Sequence, residues 1–345
     1  MKYARLGDTG LIVSRLALGS MTFGQLKGKL APMAKVDQPM ADRLVASSID
    51  AGVNFFNSAD AYAQGQAEEI LGRAIGARRR DVVIATKVGN RTGPAVTDRG
   101  LSRRHILMEA EESLRRLGTD WIDVYLFHIF DRHTPLEETL EAAEQLVRSG
   151  KVRYVGYSNW PAWMSAKAVG IQNARGYEPF RAAEVYYSLV GREVEHEILP
   201  FAEDAGIGVT VWSPLAGGLL SGRYDTDKLD ELDPDAGRLG VFNFMPYDRT
   251  KAGPILAALR RIAEAASATP AQVALAWLLA RRSVTSVIIG ANSEAQLRDN
   301  LGAADLELPA EAIAELDRLS TPPHSFPGWF TPITRDPAVA DAIGE

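Results

Sequence analysis

Residues 81–128 read DVVIATKVGNRTGPAVTDRGLSRRHILMEAEESLRRLGTDWIDVYLFH. The first eight, Asp81–Val88, form an apolar, β-branched run of strand length. Ser102 then offers a hydroxyl N-cap to a helical pattern that continues to Leu117, where Gly118 supplies a left-handed stop. Trp121–His128 is a second apolar run. Neither run alternates polar with apolar residues, as expected of parallel strands covered on both faces. The unit is therefore strand, helix, strand, and it leaves a lysine, Lys87, and a histidine, His128, at the ends of its strands.

The same rhythm extends in both directions. Upstream lie the strands Leu16–Ser20 and Asn54–Ala59 and the helices Gln38–Ala51 and Gln66–Ala77. Downstream, Thr134-Pro135 opens a helix that ends at Gly150. Strands follow at Val152–Ser158, Ala182–Ser188, Ile207–Ser213 and Thr285–Gly290. Helices are expected over Pro161–Asn173, Glu193–Ala205, Pro254–Ala268, Pro270–Arg282, Ser293–Ala303 and Pro309–Leu319. Eight strands with intervening helices, and no Ser/Gly/Pro linker near the middle, predict one α/β domain over 1–345: a single (β/α)8 TIM barrel. A β-hairpin over 1–14 turns at Asp8-Thr9-Gly10, the barrel spans 15–303, and a C-terminal helix and tail fill 304–345. Gly222–Lys251 reads as an inserted late loop, and Thr321–Glu345 as the tail.

Composition narrows the chemistry. With 38 Lys and Arg against 44 Asp and Glu, the net charge is −6, which argues against nucleic-acid or membrane partners. The absence of cysteine excludes disulfides, iron–sulfur ligation, zinc–thiolate sites and a thiol nucleophile. No metal site is expected: His128 and His133 lack helical i, i+4 spacing. The N-terminal residues lack the apolar core of a signal peptide, and the expected location is cytoplasmic. Neither a Gly-x-Gly-x-x-Gly fingerprint after a strand nor a P-loop motif is present. Arg78-Arg79-Arg80 reads as a solvated helix end.

Barrels of this type carry their chemistry at the C-terminal ends of the strands. There Lys87 and His128 converge with Tyr62 on one rim. A phenol beside an ammonium has a stabilised phenolate, so it can give or take a proton at a carbonyl oxygen, while an imidazole donates to that oxygen. The combination suits carbonyl–alcohol redox with a hydride from a cofactor.

Several stretches then resemble the aldo-keto reductase superfamily, in the right order. They are LGDTGLIVSRLALGSMTFG at the N-terminus, NFFNSADAYAQGQAEEILG from Asn54, and IATKV from Ile84. YLFHIFD from Tyr125, VGYSN from Val155, WSPLAGGLLSGRY from Trp212 and SVIIGANSEAQLRDNLGA from Ser286 complete the set. The resemblance implies Tyr62 as general acid, Lys87 as the residue that tunes it, and His128 as the carbonyl-orienting group. It also places Asn57 where the family carries the acid of its tetrad, so the tetrad is altered. Asn57 accepts a hydrogen bond but supplies no negative charge. A second departure is Glu184, where many relatives carry glutamine; it would pair with the carboxamide NH₂ of the cofactor, or supply the charge missing at Asn57. Asp60 is a further carboxylate nearby.

The cofactor implied is NADPH in preference to NADH. Gly19, Ser20 and Met21 end the first strand against it, Ser158 and Asn159 bond its carboxamide, and Trp212 stacks on its nicotinamide. Backbone around Ser213, Pro214, Leu215 and Gly217 meets the pyrophosphate. Gly290, Asn292, Gln296 and Asn300 hold the adenosine end, and Arg223 and Arg298 are candidates for a 2′-phosphate. Phe23 and Trp160, together with Met21, Trp163 and the aromatic tail residues Phe326, Trp329 and Phe330, are expected to wall the pocket of a small-molecule carbonyl substrate. Two other readings stay open: a nucleotide-binding regulatory or partner subunit with weakened catalysis, as in potassium-channel auxiliary subunits, and an alcohol or sugar dehydrogenase running in reverse. The oligomeric state is not legible.

Overall fold

The computed structural model describes residues 1–26, 33–224 and 247–344. Two short strands, β1 (Tyr3–Arg5) and β2 (Ile12–Ser14), pair as an antiparallel hairpin. Eight parallel strands follow: β3 (Leu16–Gly19), β4 (Phe55–Asn57), β5 (Val83–Val88), β6 (Ile122–Phe127), β7 (Val152–Ser158), β8 (Ala182–Tyr186), β9 (Gly208–Trp212) and β10 (Val284–Ile289). They stand in chain order around a closed barrel, and β10 returns to β3 through Val287↔Leu16, Ile288↔Ala17 and Ile289↔Leu18. The helices pack outside, so the fold is a (β/α)8 barrel with an N-terminal hairpin.

The barrel has two apolar layers of different kinds. Between strands and helices lies one large cluster that includes Leu16, Phe56, Ile84, Tyr125, Val155 and Val287. Inside the barrel lies a smaller one: Ala17, Phe55, Val83, Ala85, Val124, Leu126, Ala182 and Ile288, capped by Leu6 and Val13 of the hairpin. The hairpin thus closes the end at which the strands begin. Its turn is pinned there by the Asp8 amide, which donates to the Gly206 carbonyl at 2.8 Å. Gly7 has φ +57°, and a Cβ at that position would stand 2.3 Å from the same carbonyl oxygen, so only glycine fits.

Side chains alternate across a strand, so residues two apart share a face. Ala17, Phe55, Ala85, Leu126 and Ala182 point inward, and two residues after them come Gly19, Asn57, Lys87, His128 and Glu184. The uppermost interior layer of the barrel is therefore polar, and the layers beneath it are apolar.

Several helices differ from their sequence reading for identifiable reasons. A continuous helix over Glu193–Ala205 would bury Pro200 in its interior, where the ring meets the carbonyl four residues back. The chain forms a short 3₁₀ turn at Glu193–Glu195 and a new helix at Ile198–Asp204, which puts Pro200 in a first turn. The helix expected from Pro254 begins earlier, at Arg249, because the Asp248 side chain caps it by accepting from the Thr250 amide at 2.9 Å. The tail is not featureless: a helix at Pro337–Ile343 is capped by Asp336. Most of the expected late loop, residues 225–246, lies outside the described residues. Among the described residues no single helix is long and apolar enough to cross a membrane.

Candidate active site

At the polar end of the barrel, Lys87 is fully buried and held by four oxygens. Its Nζ donates to Asn57 Oδ1 at 2.7 Å, to the Ser58 carbonyl at 2.9 Å and to the Tyr62 hydroxyl oxygen at 3.3 Å. The fourth is Glu184 Oε1, at 3.2 Å. Asn57 Nδ2 donates to the other Glu184 oxygen at 2.7 Å. The four side chains Asn57, Tyr62, Lys87 and Glu184, with the Ser58 carbonyl, thus form one cluster reaching from β4 to β8. Burial disfavours the Lys87 ammonium, but the Glu184 carboxylate and the Tyr62 oxygen outweigh it, and its pKa is raised.

Tyr62 follows β4 on a turn with uncommon backbone, since Ala63 and Gln64 have φ of 48° and 58°. The turn is tied to the barrel by the Asp60 amide, which donates to the Lys87 carbonyl at 3.1 Å. The Tyr62 and His128 rings meet edge-on with centroids 5.7 Å apart. His128 is held well below the usual imidazole pKa, first by burial and then by the Lys87 charge. It is therefore neutral near pH 7, and its buried Nδ1 has no hydrogen-bond partner among the described residues. A neutral imidazole beside a phenol can donate to a carbonyl oxygen placed between them without adding charge.

These groups open into a cavity of about 760 Å³. That is within the size of small-molecule and cofactor sites, roughly 300–1,000 Å³. Asn57, Tyr62, His128 and Glu184 line its inner end, with Gly19 and Met21 from the end of β3. Ser158, Asn159 and Trp212 line a second wall; Asn159 Oδ1 accepts from the Trp212 indole at 2.9 Å, and Asn159 Nδ2 donates to Ser158 Oγ at 2.8 Å. The turn after β9 brings Ser213, Pro214, Leu215, Gly217 and Arg223 to the cavity. Gly290, Asn292, Gln296 and Asn300 complete it, Gln296 accepting from the Asn292 amide at 2.9 Å and Asn300 donating to the Gly290 carbonyl at 3.1 Å.

Backbone strain concentrates on this cavity. Among the described residues six non-glycine positions have positive φ, and five of them, Ala63, Gln64, Asn159, Ser213 and Ala216, belong to its walls or adjoining turns. Such conformations cost about 1–3 kcal/mol each and gather where function requires them. The turn at Ser213–Gly218 also includes Gly217 and Gly218 at φ 68° and 101°, which lets its backbone face the cavity without a Cβ. The donor set, glycine backbone at one end and a phenol with an imidazole at the other, fits an elongated nucleotide with its reactive ring beside Tyr62.

Nine expected site residues stand outside the cavity lining. Ser20 is fully buried, and its hydroxyl donates to Ser58 Oγ at 2.8 Å, a brace behind the wall. Phe23 is fully buried in the core beside the bridge to Val36, because its chain turns inward after β3. Trp160 is 1% exposed and belongs to an aromatic cluster with Phe127, Tyr157 and Phe180, its indole donating to the Ile129 carbonyl at 2.7 Å. Neither aromatic lines the cavity. Lys87 also lies behind the cavity wall and reaches it only through its partners. Trp163, Phe326, Trp329 and Phe330 are exposed and outside the lining, the three tail aromatics packing on one another. Arg298 is exposed and outside the lining. Tyr224, at the end of the stretch that opens with Trp212, also lines the cavity, and so do Thr22, Lys35 and Asn90, which end no strand and so escape a reading of strand ends.

Comparison with known proteins identifies the family. The Aldo/keto reductase family model matches residues 15–321. A probable voltage-gated potassium channel subunit beta of Arabidopsis thaliana is 36% identical over 338 residues, covering 95% of this chain and 98% of that protein. Uncharacterized oxidoreductase YrpG of Bacillus subtilis (strain 168) is 37% identical over 342 residues, 95% of this chain and 97% of its own. Versiconal hemiacetal acetate reductase of Aspergillus parasiticus is 33% identical over 350 residues, 95% of this chain and 99% of its own.

Proposed function

The chain belongs to the aldo/keto reductase family of NAD(P)H-dependent oxidoreductases, and from that premise we propose that it reduces an aldehyde, ketone or sugar-like carbonyl with NADPH, Tyr62 acting as general acid. The observation that carries the reading is the Tyr62–Lys87–His128 cluster at the inner end of the cavity. When bound, the nicotinamide cofactor supplies a hydride to the carbonyl carbon.

The protein's own groups handle the oxygen. His128, neutral, donates to the carbonyl oxygen and holds it toward Tyr62. The proton moves from the Tyr62 hydroxyl to that oxygen as negative charge develops on it. The phenolate left behind is stabilised by the Lys87 ammonium, 3.3 Å away. Ser158 and Asn159 would hold the carboxamide, Trp212 the nicotinamide ring, and the Ser213–Gly218 backbone the pyrophosphate, all of them at or beside the cavity wall. Among the described residues Arg223 and Lys35 are cations on the cavity wall, which supports the choice of NADPH.

The test is direct. Purified protein is mixed with NADPH and a panel of activated aldehydes and diketones while nicotinamide absorbance is followed. Turnover that disappears in Tyr62→Phe while nucleotide binding remains supports the reading. Tight NADPH binding with no turnover on any member overturns it and favours a nucleotide-binding partner subunit; the Arabidopsis relative is named as a potassium channel subunit.

A further inference from the structure

The Asn57 amide has only one sensible orientation. Its Oδ1 faces an ammonium, which has donors alone, and its Nδ2 faces a carboxylate, whose oxygens accept. Turning the amide over would set NH₂ against NH₃⁺ and oxygen against oxygen. Asn57 therefore acts as a neutral link between Lys87 and Glu184, and it spans the barrel, because β4 and β8 stand four strands apart in a ring of eight. Glu184 Oε1 also contacts Lys87 Nζ directly, and Glu184 is the only carboxylate within ion-pair distance of Lys87 among the described residues. Its side chain is 3% exposed. Both of its oxygens are thus engaged inside the barrel.

We propose that acid and amide have exchanged walls in this barrel: Glu184 on β8 supplies the carboxylate that balances and positions Lys87, and Asn57 on β4 supplies the amide. The inference rests on the reductase reading for its catalytic consequence. Charge is conserved by the exchange, since one lysine, one acid and one amide carry the same total whichever strand holds the acid. An ammonium removed from water with no carboxylate partner would be unfavourable, and an amide at position 57 alone leaves that need unmet. A carboxylate on the opposite wall meets it while leaving Lys87 within reach of the Tyr62 oxygen. Glu184 is accordingly a positioning residue: it acts on the reaction through Lys87, and the nicotinamide carboxamide is left to Ser158 and Asn159.

The experiment is a swap. Four proteins are compared: the parent, Glu184→Gln, Asn57→Asp, and the double variant carrying both. Glu184→Gln strips the carboxylate and should lower kcat about 100-fold, the loss typical of a misplaced reacting group. Asn57→Asp sets two carboxylates against each other where a 2.7 Å hydrogen bond now runs, and should lower kcat about 10-fold. The double variant restores one acid and one amide, and should return kcat to within about tenfold of the parent, far above the product of the single losses. Losses that multiply in the double variant, or an unchanged kcat in Glu184→Gln, overturn the proposal. If the parent reduces no carbonyl, the reductase reading fails separately. The same four proteins are then compared by thermal unfolding, where a double variant more stable than the sum of the singles supports the exchange, and simple additivity overturns it.

Discussion

The Tyr62 hydroxyl oxygen lies 3.3 Å from the Lys87 ammonium, which also stands 5.0 Å from the centre of the Tyr62 ring. The hydroxyl thus lines the cavity, and the ammonium stands directly behind it. If the hydroxyl is the proton source, Tyr62→Phe removes the donor and keeps the ring. The expected result is a kcat lower by about 100- to 10,000-fold with little change in nucleotide affinity. Single-turnover reduction beside a fluorescence titration of NADPH checks both halves, and a variant that keeps more than a tenth of the parent rate contradicts the role.

Lys87 holds up the cluster as well as the chemistry. Lys87→Met leaves Glu184 buried with only the Asn57 amide to answer its charge. Breaking a buried pair from one side costs about 3–5 kcal/mol. The raised lysine pKa means that its contribution is fully present below the unfolded value of about 10.4 and is lost only as pH rises through the higher folded value. The loss in Lys87→Met should therefore be nearly constant from pH 6 to 9, as read by urea unfolding. Adding Glu184→Gln should recover part of it, because the uncompensated charge is gone.

His128 gives the opposite pH behaviour. Burial, then the Lys87 charge, holds its folded pKa well below the usual imidazole value. Across that window the unfolded chain binds more protons, so the contribution of the neutral ring is present above about pH 6.5 and is lost as pH falls through the folded value. NMR of the ring should show a neutral imidazole throughout pH 6.5–8, and the pH profile of kcat/KM should carry no His128 limb there. A ring that titrates near its ordinary value would contradict this.

The fold was largely legible, since parallel strands buried on both faces leave apolar runs such as Val83–Val88 and Ile122–Phe127. Lys87 and His128 were legible for the same reason: a polar group ending such a run is costly unless it is used. Local pattern does not say which way a side chain turns beyond a strand, so Trp160 could be placed near the rim yet not recognised as part of the Phe127–Phe180 cluster. The bond from Asn57 to Glu184 joins residues 127 positions apart, and neither helical nor strand period reaches that far. Lys35 sits in a stretch with no period at all and was not singled out, although it lines the cavity.

Asp60 gives the last prediction. It is 1% exposed, and among the described residues neither carboxyl oxygen has a hydrogen-bond partner of good geometry, the adjoining Ala61 amide giving only a minor opposing influence. Nearby, Glu68 is anchored by Arg116 at 2.7 Å, and Glu109 by the same guanidinium at 3.2 Å, so the available cation is already committed. Burial first, and then the Glu68 and Glu109 charges, raise the Asp60 pKa well above the ordinary carboxylate value. The native state therefore holds a proton that the unfolded chain releases above about pH 4. Stability falls as pH rises from there through the folded value, since the native state binds more protons across that window. Asp60→Asn keeps the shape and removes the ionisable group, leaving the backbone bond from residue 60 to the Lys87 carbonyl in place. At pH 7 it should stabilise the protein by roughly 1 kcal/mol, the scale of relieving one unsatisfied buried polar group. The gain should shrink toward pH 4, where the unfolded aspartate also begins to hold its proton. Thermal unfolding of parent and variant at pH 4, 5.5 and 7 decides the matter: a gain independent of pH, or a loss at pH 7, would show that Asp60 is not a burdened acid but a partnered one.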